Sequence, residues 1–110
     1  MSVKLIERIE AKLVGEGNLD EVARRELLSL LASLKEDVAR LDARHDEHAE
    51  SIAGFAGAAT HEALRATRNP DLLKLAIDGL SASVKDIETE HPRLVNTVNG
   101  ICTMLANLGI

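Results

Sequence analysis

The chain has 110 residues, 45% of them hydrophobic and 28% charged, with a formal net charge of −5. Phe55 is the one Phe and there is no Trp or Tyr, so the stacking platforms of a single-strand nucleic-acid binder are missing, and the interspersed charges leave no basic stripe for a duplex. A lone cysteine, Cys102, excludes a disulfide-stapled scaffold.

What remains is rich in Ala, Leu, Glu, Lys and Arg, with two prolines, a composition that favours long helices over strands. One domain over residues 1–110 is expected. Folding alone, it would bury only about two-thirds of its unfolded surface. The expected fold class is therefore all-α: helical hairpins with one long heptad-patterned helix, assembling as a helical bundle or coiled-coil homo-oligomer.

The first helix is expected from about 2 to 14, where Ile6, Ile9 and Leu13 recur at three and four and Gly15 and Gly17 end it. Asn18 followed by Glu21 has the spacing of a capping box and starts the second helix near Leu19. In that helix Leu27, Leu31, Leu34, Val38, Leu41, His45, His48, Ile52, Phe55 and Ala59 alternate at four and three, a sustained heptad seam. Unbroken to about Thr67, it would be roughly 70 Å long. The weak point is Gly54 to Gly57, since each Gly costs about 1 kcal/mol relative to Ala in a helix interior. A kink there and a close approach of two backbones are both open. Close packing is favoured, because Ala dominates the segment and no Pro, Asn or Asp supports a turn.

Asn69-Pro70-Asp71 marks the next boundary, with Asn69 as cap and Pro70 in the first turn. A third helix, about 71–89, carries Leu73, Ile77, Leu80, Val84 and Ile87 and stops before His91-Pro92, where proline disfavours helical backbone in the preceding residue. Pro92 opens a fourth, about 92–108, with Leu94, Val98, Ile101, Leu105 and Leu108 as its seam. Gly109 is expected to close it as a left-handed cap, with Ile110 folding back. No charged residue occurs from Leu94 onward, but Asn96, Asn99, Asn107, Thr97 and Thr103 argue against a membrane span. The neutral face of Asn96, Gly100, Thr103 and Asn107 instead suggests a helix at the centre of an oligomer. The N-terminal residues lack the apolar core of a signal peptide, so a soluble, cytoplasmic protein is expected, with Cys102 as a small buried hydrophobe.

Glu88, His91-Pro92-Arg93-Leu94 and the closing Leu105-Ala106-Asn107-Leu108-Gly109-Ile110 resemble a bacterial family of small helical proteins grouped as a domain of unknown function. The resemblance covers the third and fourth helices best and the opening hairpin to about Leu41 more loosely. It implies helical hairpins and brings no activity, substrate or cofactor.

The residues that carry chemistry are few. His45 and His48 lie three apart with Asp42, Asp46, Glu47 and Glu50 nearby, and His61-Glu62 follow further along. Asp42 with His45, and Glu88 with His91, have the acid-x-x-His spacing found in di-metal bundles. Arg65 stands where a zinc protease would need its second His, so that pattern is absent. The plainest reading of His45 and His48 is a polar layer in a helical seam, fixing register, or one that loosens on protonation. His91 reads as a turn residue that sets an interhelical angle. No nucleophile elbow or Gly-rich phosphate loop is present. The expected function is thus a non-enzymatic oligomeric scaffold or interaction module without a cofactor. Its expected partner is itself, as dimer or tetramer, or another protein, with neither nucleic acid nor membrane. The interface would use Leu34, Val38, Leu41, Ile52 and Phe55 on one seam and Leu94, Val98, Ile101, Leu105 and Leu108 on the other. The rival is a metal-binding bundle using His45, His48 and neighbouring carboxylates, with His61 as a further candidate.

Overall fold

The amphipathic spacing of the opening segment folds as expected for a helix that buries one stripe. In a computed structural model, which describes residues 2–108, Ile6, Ile9 and Leu13 of α1 (Ser2–Val14) face inward. Four more helices follow: α2 (Glu21–Ala39), α3 (Asp46–Leu64), α4 (Pro70–Ala82) and α5 (Pro92–Leu108). Short 3-10 turns lie at Ala43–His45 and Lys85–Ile87, and the described residues contain no strand. The fold is all-α. The cap expected from Gly109 and Ile110 lies outside the described residues.

The turn between α1 and α2 is held by three side chains. Asp20, not Asn18, is the N-cap: its Oδ2 accepts from the Ala23 N–H at 3.2 Å, while the Asn18 N–H donates to Glu16 Oε1 at 3.3 Å. Asp20 stands one residue before the first helical turn, the position from which a short carboxylate reaches the free N–H groups. Arg24 reaches back to donate to the carbonyls of Leu13 and Leu19, closing the end of α1.

The long second helix does not run through to Thr67. It breaks at Arg40 to Asp42, and the expected weak point, Gly54 to Gly57, lies inside the uninterrupted α3. The Arg40 N–H donates to the carbonyls of both Asp37 and Val38, and the Leu41 N–H to Val38, which tightens the last turn. Asp42 then leaves helical space at φ −80° and ψ 173°, its Oδ1 accepting from the Arg44 N–H at 3.2 Å. A side-chain oxygen that satisfies the backbone two residues on is the local alternative that Asp offers to helix. Each 19-residue half is about 28 Å long, and both fit the 38 × 25 × 21 Å envelope.

Chain direction follows from the contacts. Asp37 meets Thr97 and Leu30 meets Gly100, so α2 and α5 are antiparallel. Phe55 meets Gly79 and His48 meets Asp86, so α3 and the α4 segment are antiparallel too. Lys12 meets His61 and Ile9 meets Gly57, so α1 and α3 run together. The α2–α3 and α4–α5 connections therefore emerge at one end of the bundle.

The middle element, α3, touches α1, α4 and α5. Its inward face is Ala49, Ile52, Ala53, Ala56, Ala59 and Ala63, all buried. Side chains that end at Cβ let neighbouring helices approach, which is how one short helix serves three partners. Gly57 faces α1, where a Cβ would stand in ordinary contact, 3.7 Å from Ile9 Cδ1. Phe55 lies off that face. It is 40% exposed, and its ring occupies the space where a Cβ on Gly79 would fall.

The seams expected to join separate chains are packed within this one. Leu34, Ile52, Val98, Ile101 and Leu105 are 0% exposed, with Val38 and Leu94 nearly so. Leu41 and Leu108 are half-buried at the rim, and Phe55 is exposed. The break at Asp42 is the reason: it turns the second half of the seam back so that both halves pack against α1 and α5. The third helix also ends early, at Ala82, where the Ser83 hydroxyl donates to the Leu80 carbonyl at 2.6 Å. The 3-10 turn that follows keeps Val84 and Ile87 buried.

Polar ties fix the neighbours. Lys35 of α2 pairs with Glu10 of α1 at 2.8 Å, and the buried Asp37 of α2 accepts from Thr97 Oγ1 of α5 at 3.3 Å. Cys102 is half-buried with Sγ 3.8 Å from the Ile77 carbonyl, and burial, with Asp78 adding, pushes its thiol pKa up. No helix of the described residues is long and apolar enough to cross a membrane. The radius of gyration of 13.0 Å is that of a compact single chain of this length. Leu105→Ala is accordingly expected to lower the unfolding free energy by about 2–5 kcal/mol. In urea titrations the wild-type midpoint should stay fixed as protein concentration is varied if the chain folds as a monomer; a midpoint that climbs with concentration would show that the folded chain associates.

Candidate metal centre

Two helix breaks meet at one end of the bundle, and each carries a histidine. The first is the Asp42–His45 turn, which ends in His45 as the residue before α3 and sets His48 in its opening turn. The second is the segment from the Lys85–Ile87 turn to Pro92, which supplies Asp86, Glu90 and His91. Pro92 ends the intervening segment, since it pushes His91 out of helical space and starts α5 with a residue that lacks an N–H. The His91 N–H is taken by the Ile87 carbonyl at 2.9 Å.

His45 is the centre of the arrangement. Its residue surface is 8% exposed, yet neither Nδ1 nor Nε2 has a hydrogen-bond partner. The nearest acid is Glu90, with Oε2 3.5 Å from Nε2, beyond ordinary hydrogen-bond length. The rings of His48 and His91 both stand edge-on to His45, each with its centroid 5.5 Å away. One donor atom from each of His45, Glu90 and His91 lies within 4.8 Å of the others. In a tetrahedral site with bonds of about 2.0–2.1 Å, adjacent ligand atoms are about 3.4 Å apart. The His45–Glu90 pair already has that spacing.

Electrostatics around the cluster are set by arginines. Arg44 Nη2 lies 2.8 Å from Glu90 Oε2, and Asp42 holds the other side of that guanidinium, with Oδ2 3.2 Å from Nε. The hydrogen bond to Asp42, then the charges of Asp42 and Glu90, raise the Arg44 pKa further, so it stays cationic. Arg93 Nε lies 3.7 Å from Asp37 Oδ1. His48 points elsewhere: its Nε2 is 3.8 Å from Asp86 Oδ2, on a groove lined by Phe55, Gly79 and Ser83, while its Nδ1 is buried without a partner.

The sequence-derived candidates divide sharply. His45 and His48 are brought together. His61 is not; it sits about 20 Å further along α3, exposed, with Nδ1 3.1 Å from Lys12 Nζ. Neither expected acid-x-x-His pair forms a site, because Asp42 is spent on the turn and on Arg44, and Glu88 is exposed outside the cluster. Asp46, Glu47 and Glu50 are exposed as well. Sequence reasoning misses Glu90 and Asp86, and it offers His91 as a turn residue or as the partner of Glu88, not of His45. The available signal is that both breaks carry a histidine, which becomes a contact once the chain is folded as alternating hairpins. Comparison with protein-family models, curated proteins and solved structures gave no match.

An imidazole buried with both nitrogens unpaired is a cost to the fold, since each unsatisfied buried polar group forfeits about 1–3 kcal/mol. His45→Leu, an apolar side chain of similar size, is therefore expected to leave metal-free protein as stable or make it about 1 kcal/mol more stable. A loss of several kcal/mol in chemical denaturation would instead assign His45 a role in holding the fold.

Proposed function

We propose that this chain is a non-enzymatic helical module that binds a divalent first-row transition ion through His45, Glu90 and His91. The observation that carries the reading is His45, nine-tenths buried with both ring nitrogens unpartnered beside a carboxylate and a second imidazole. Two imidazoles and one carboxylate suit zinc, iron, cobalt or nickel better than magnesium or calcium, which take oxygen ligands. Binding rather than catalysis is supported by the absence, among the described residues, of a hydroxyl or thiol hydrogen-bonded to an imidazole. Cys102 is a free, half-buried thiol, which suits a reducing compartment, and the cytoplasm is the proposed location. Membership of the bacterial family that the closing motif resembles belongs to the same proposal, since His91 and Arg93 are among the residues that carry the resemblance.

The test is calorimetric titration of zinc into protein purified without a metal-affinity tag. One ion per chain is expected, and at one hundred times the dissociation constant it should stabilise the fold by about 2.7 kcal/mol. His45→Ala, Glu90→Gln and His91→Ala should each weaken binding at least tenfold, whereas His61→Ala should bind as wild type. Absence of a binding heat together with an unchanged melting temperature would end the proposal.

A second reading, an interaction module that pairs with a second copy, is favoured by one observation. Leu72 and Leu75 are 42% and 68% exposed on α4, and their spacing continues through Gly79 to the exposed ring of Phe55. Light scattering on a sizing column should then give a dimer for wild type and a monomer for Leu75→Glu. A wild-type monomer at high micromolar concentration would count decisively against it.

A further inference from the structure

We infer that the bound ion keeps an open coordination position and that this position takes a small oxygen-donor anion, held in addition by Arg40. The inference rests on the metal reading above and adds the chemistry of a second ligand.

The coordination set is the first argument. Three protein donors converge, His45, Glu90 and His91, and a site with three protein ligands keeps a further position for water or substrate. His48 does not complete the set. It lies outside the group of mutually close donors, and its Nε2 is directed to Asp86 on the opposite groove.

Space and charge supply the second. Glu90 and His91 line a cleft of about 200 Å³ together with Asp37, Arg40 and Arg93. That volume is below the several hundred cubic ångströms of sites for drug-sized molecules, so it selects a small ion. The two carboxylates of the cleft are each matched by an arginine: Glu90 by Arg44 at 2.8 Å and Asp37 by Arg93 at 3.7 Å. Arg40 makes no ion pair among the described residues and lines the same cleft. Adding a divalent cation to this set leaves the cleft strongly positive although the chain as a whole carries −5. Guanidinium groups and a metal position together recognise carboxylate or phosphate oxygens, the guanidinium through charge-assisted hydrogen bonds. The anion displaces metal-bound water, so no bond beyond coordination is made or broken.

Cobalt(II) is the probe, because its visible bands report coordination. Tag-free protein loaded with cobalt is titrated separately with acetate and with inorganic phosphate, using perchlorate at matched ionic strength as the blank. A saturable spectral change with either anion and none with perchlorate is expected, and the anion that binds more tightly identifies the class. In Arg40→Ala, which alters an exposed side chain that is not a metal ligand, the anion dissociation constant should rise about tenfold, the size of one charge-assisted hydrogen bond. Cobalt that binds with a spectrum indifferent to both anions overturns this inference while leaving the metal site standing, and so does an anion response unaltered in Arg40→Ala. Failure of cobalt to bind at all removes the metal reading and this inference with it.

Discussion

The fold depends on one turn, at Leu41 and Asp42. Upstream and downstream of it the sequence carries a single apolar stripe, and a continuous helix would present that stripe along an edge that a chain of this size cannot cover. Asp42 provides the backbone with a competing set of hydrogen bonds, and the helix reverses. The gain is large: residues from Leu27 to Val38 and from Ala49 to Ala63 then bury against the same α1 and α5. Burial returns about 25 cal/mol per Å² of apolar surface, whereas ending a helix forfeits a few hydrogen bonds worth about 1 kcal/mol each. On those magnitudes the hairpin wins over the rod.

The same reversal creates the polar end of the molecule. Because helices alternate in direction, the α2–α3 and α4–α5 turns fall at one end, and histidines from two breaks come edge to edge. Within the hydrophobic cluster every large apolar side chain has apolar neighbours; at this end a buried imidazole has none of its hydrogen bonds made. Natural sequences concentrate such local inconsistencies at sites of function, where a missing partner is supplied by something that binds. Asp37 is the contrasting case. That carboxylate is equally buried, yet it is answered by Thr97 and Arg93, as structural polar groups are.

Fold class, the first helix, the Asn69-Pro70 start and the last helix are legible in the sequence because each rests on local rules: 3.6-residue spacing, a side-chain cap, a proline in the first turn. The break at Asp42 is not legible from periodicity, since the alternation of threes and fours continues through it without a phase change. The turn removes residues from the helix without removing them from the count. At Gly54 and Gly57 the favoured reading, with no break in the small-residue segment, agrees with the continuous α3, although Gly54 itself is exposed with open space beside it. The site suffers most: His45 and His48 are visible as a helical pair, whereas Glu90 and His91 lie some forty-five residues away in sequence and join them only through topology. A seam taken as one rod has to find another chain for its apolar faces. Most of the residues expected at an intermolecular interface are buried within this one chain, with Phe55 exposed and Leu41 and Leu108 at the rim.

A metal site of the kind proposed, on two turns rather than in mid-bundle, would have a physical logic. Donors on adjacent turns of packed helices would each need a buried carboxylate, and an unpaired buried charge costs several kcal/mol. At the helix breaks Glu90 remains about half exposed and paired with Arg44, so its charge is met by water and guanidinium when no ion is bound. Of the three donors His45 alone is buried. Arg44 is itself clamped by Asp42, the residue that ends the helical rod. The carboxylate that breaks the long helix therefore also fixes, through one guanidinium, where the Glu90 carboxylate stands, and chain reversal and ligand placement become consequences of the same side chain.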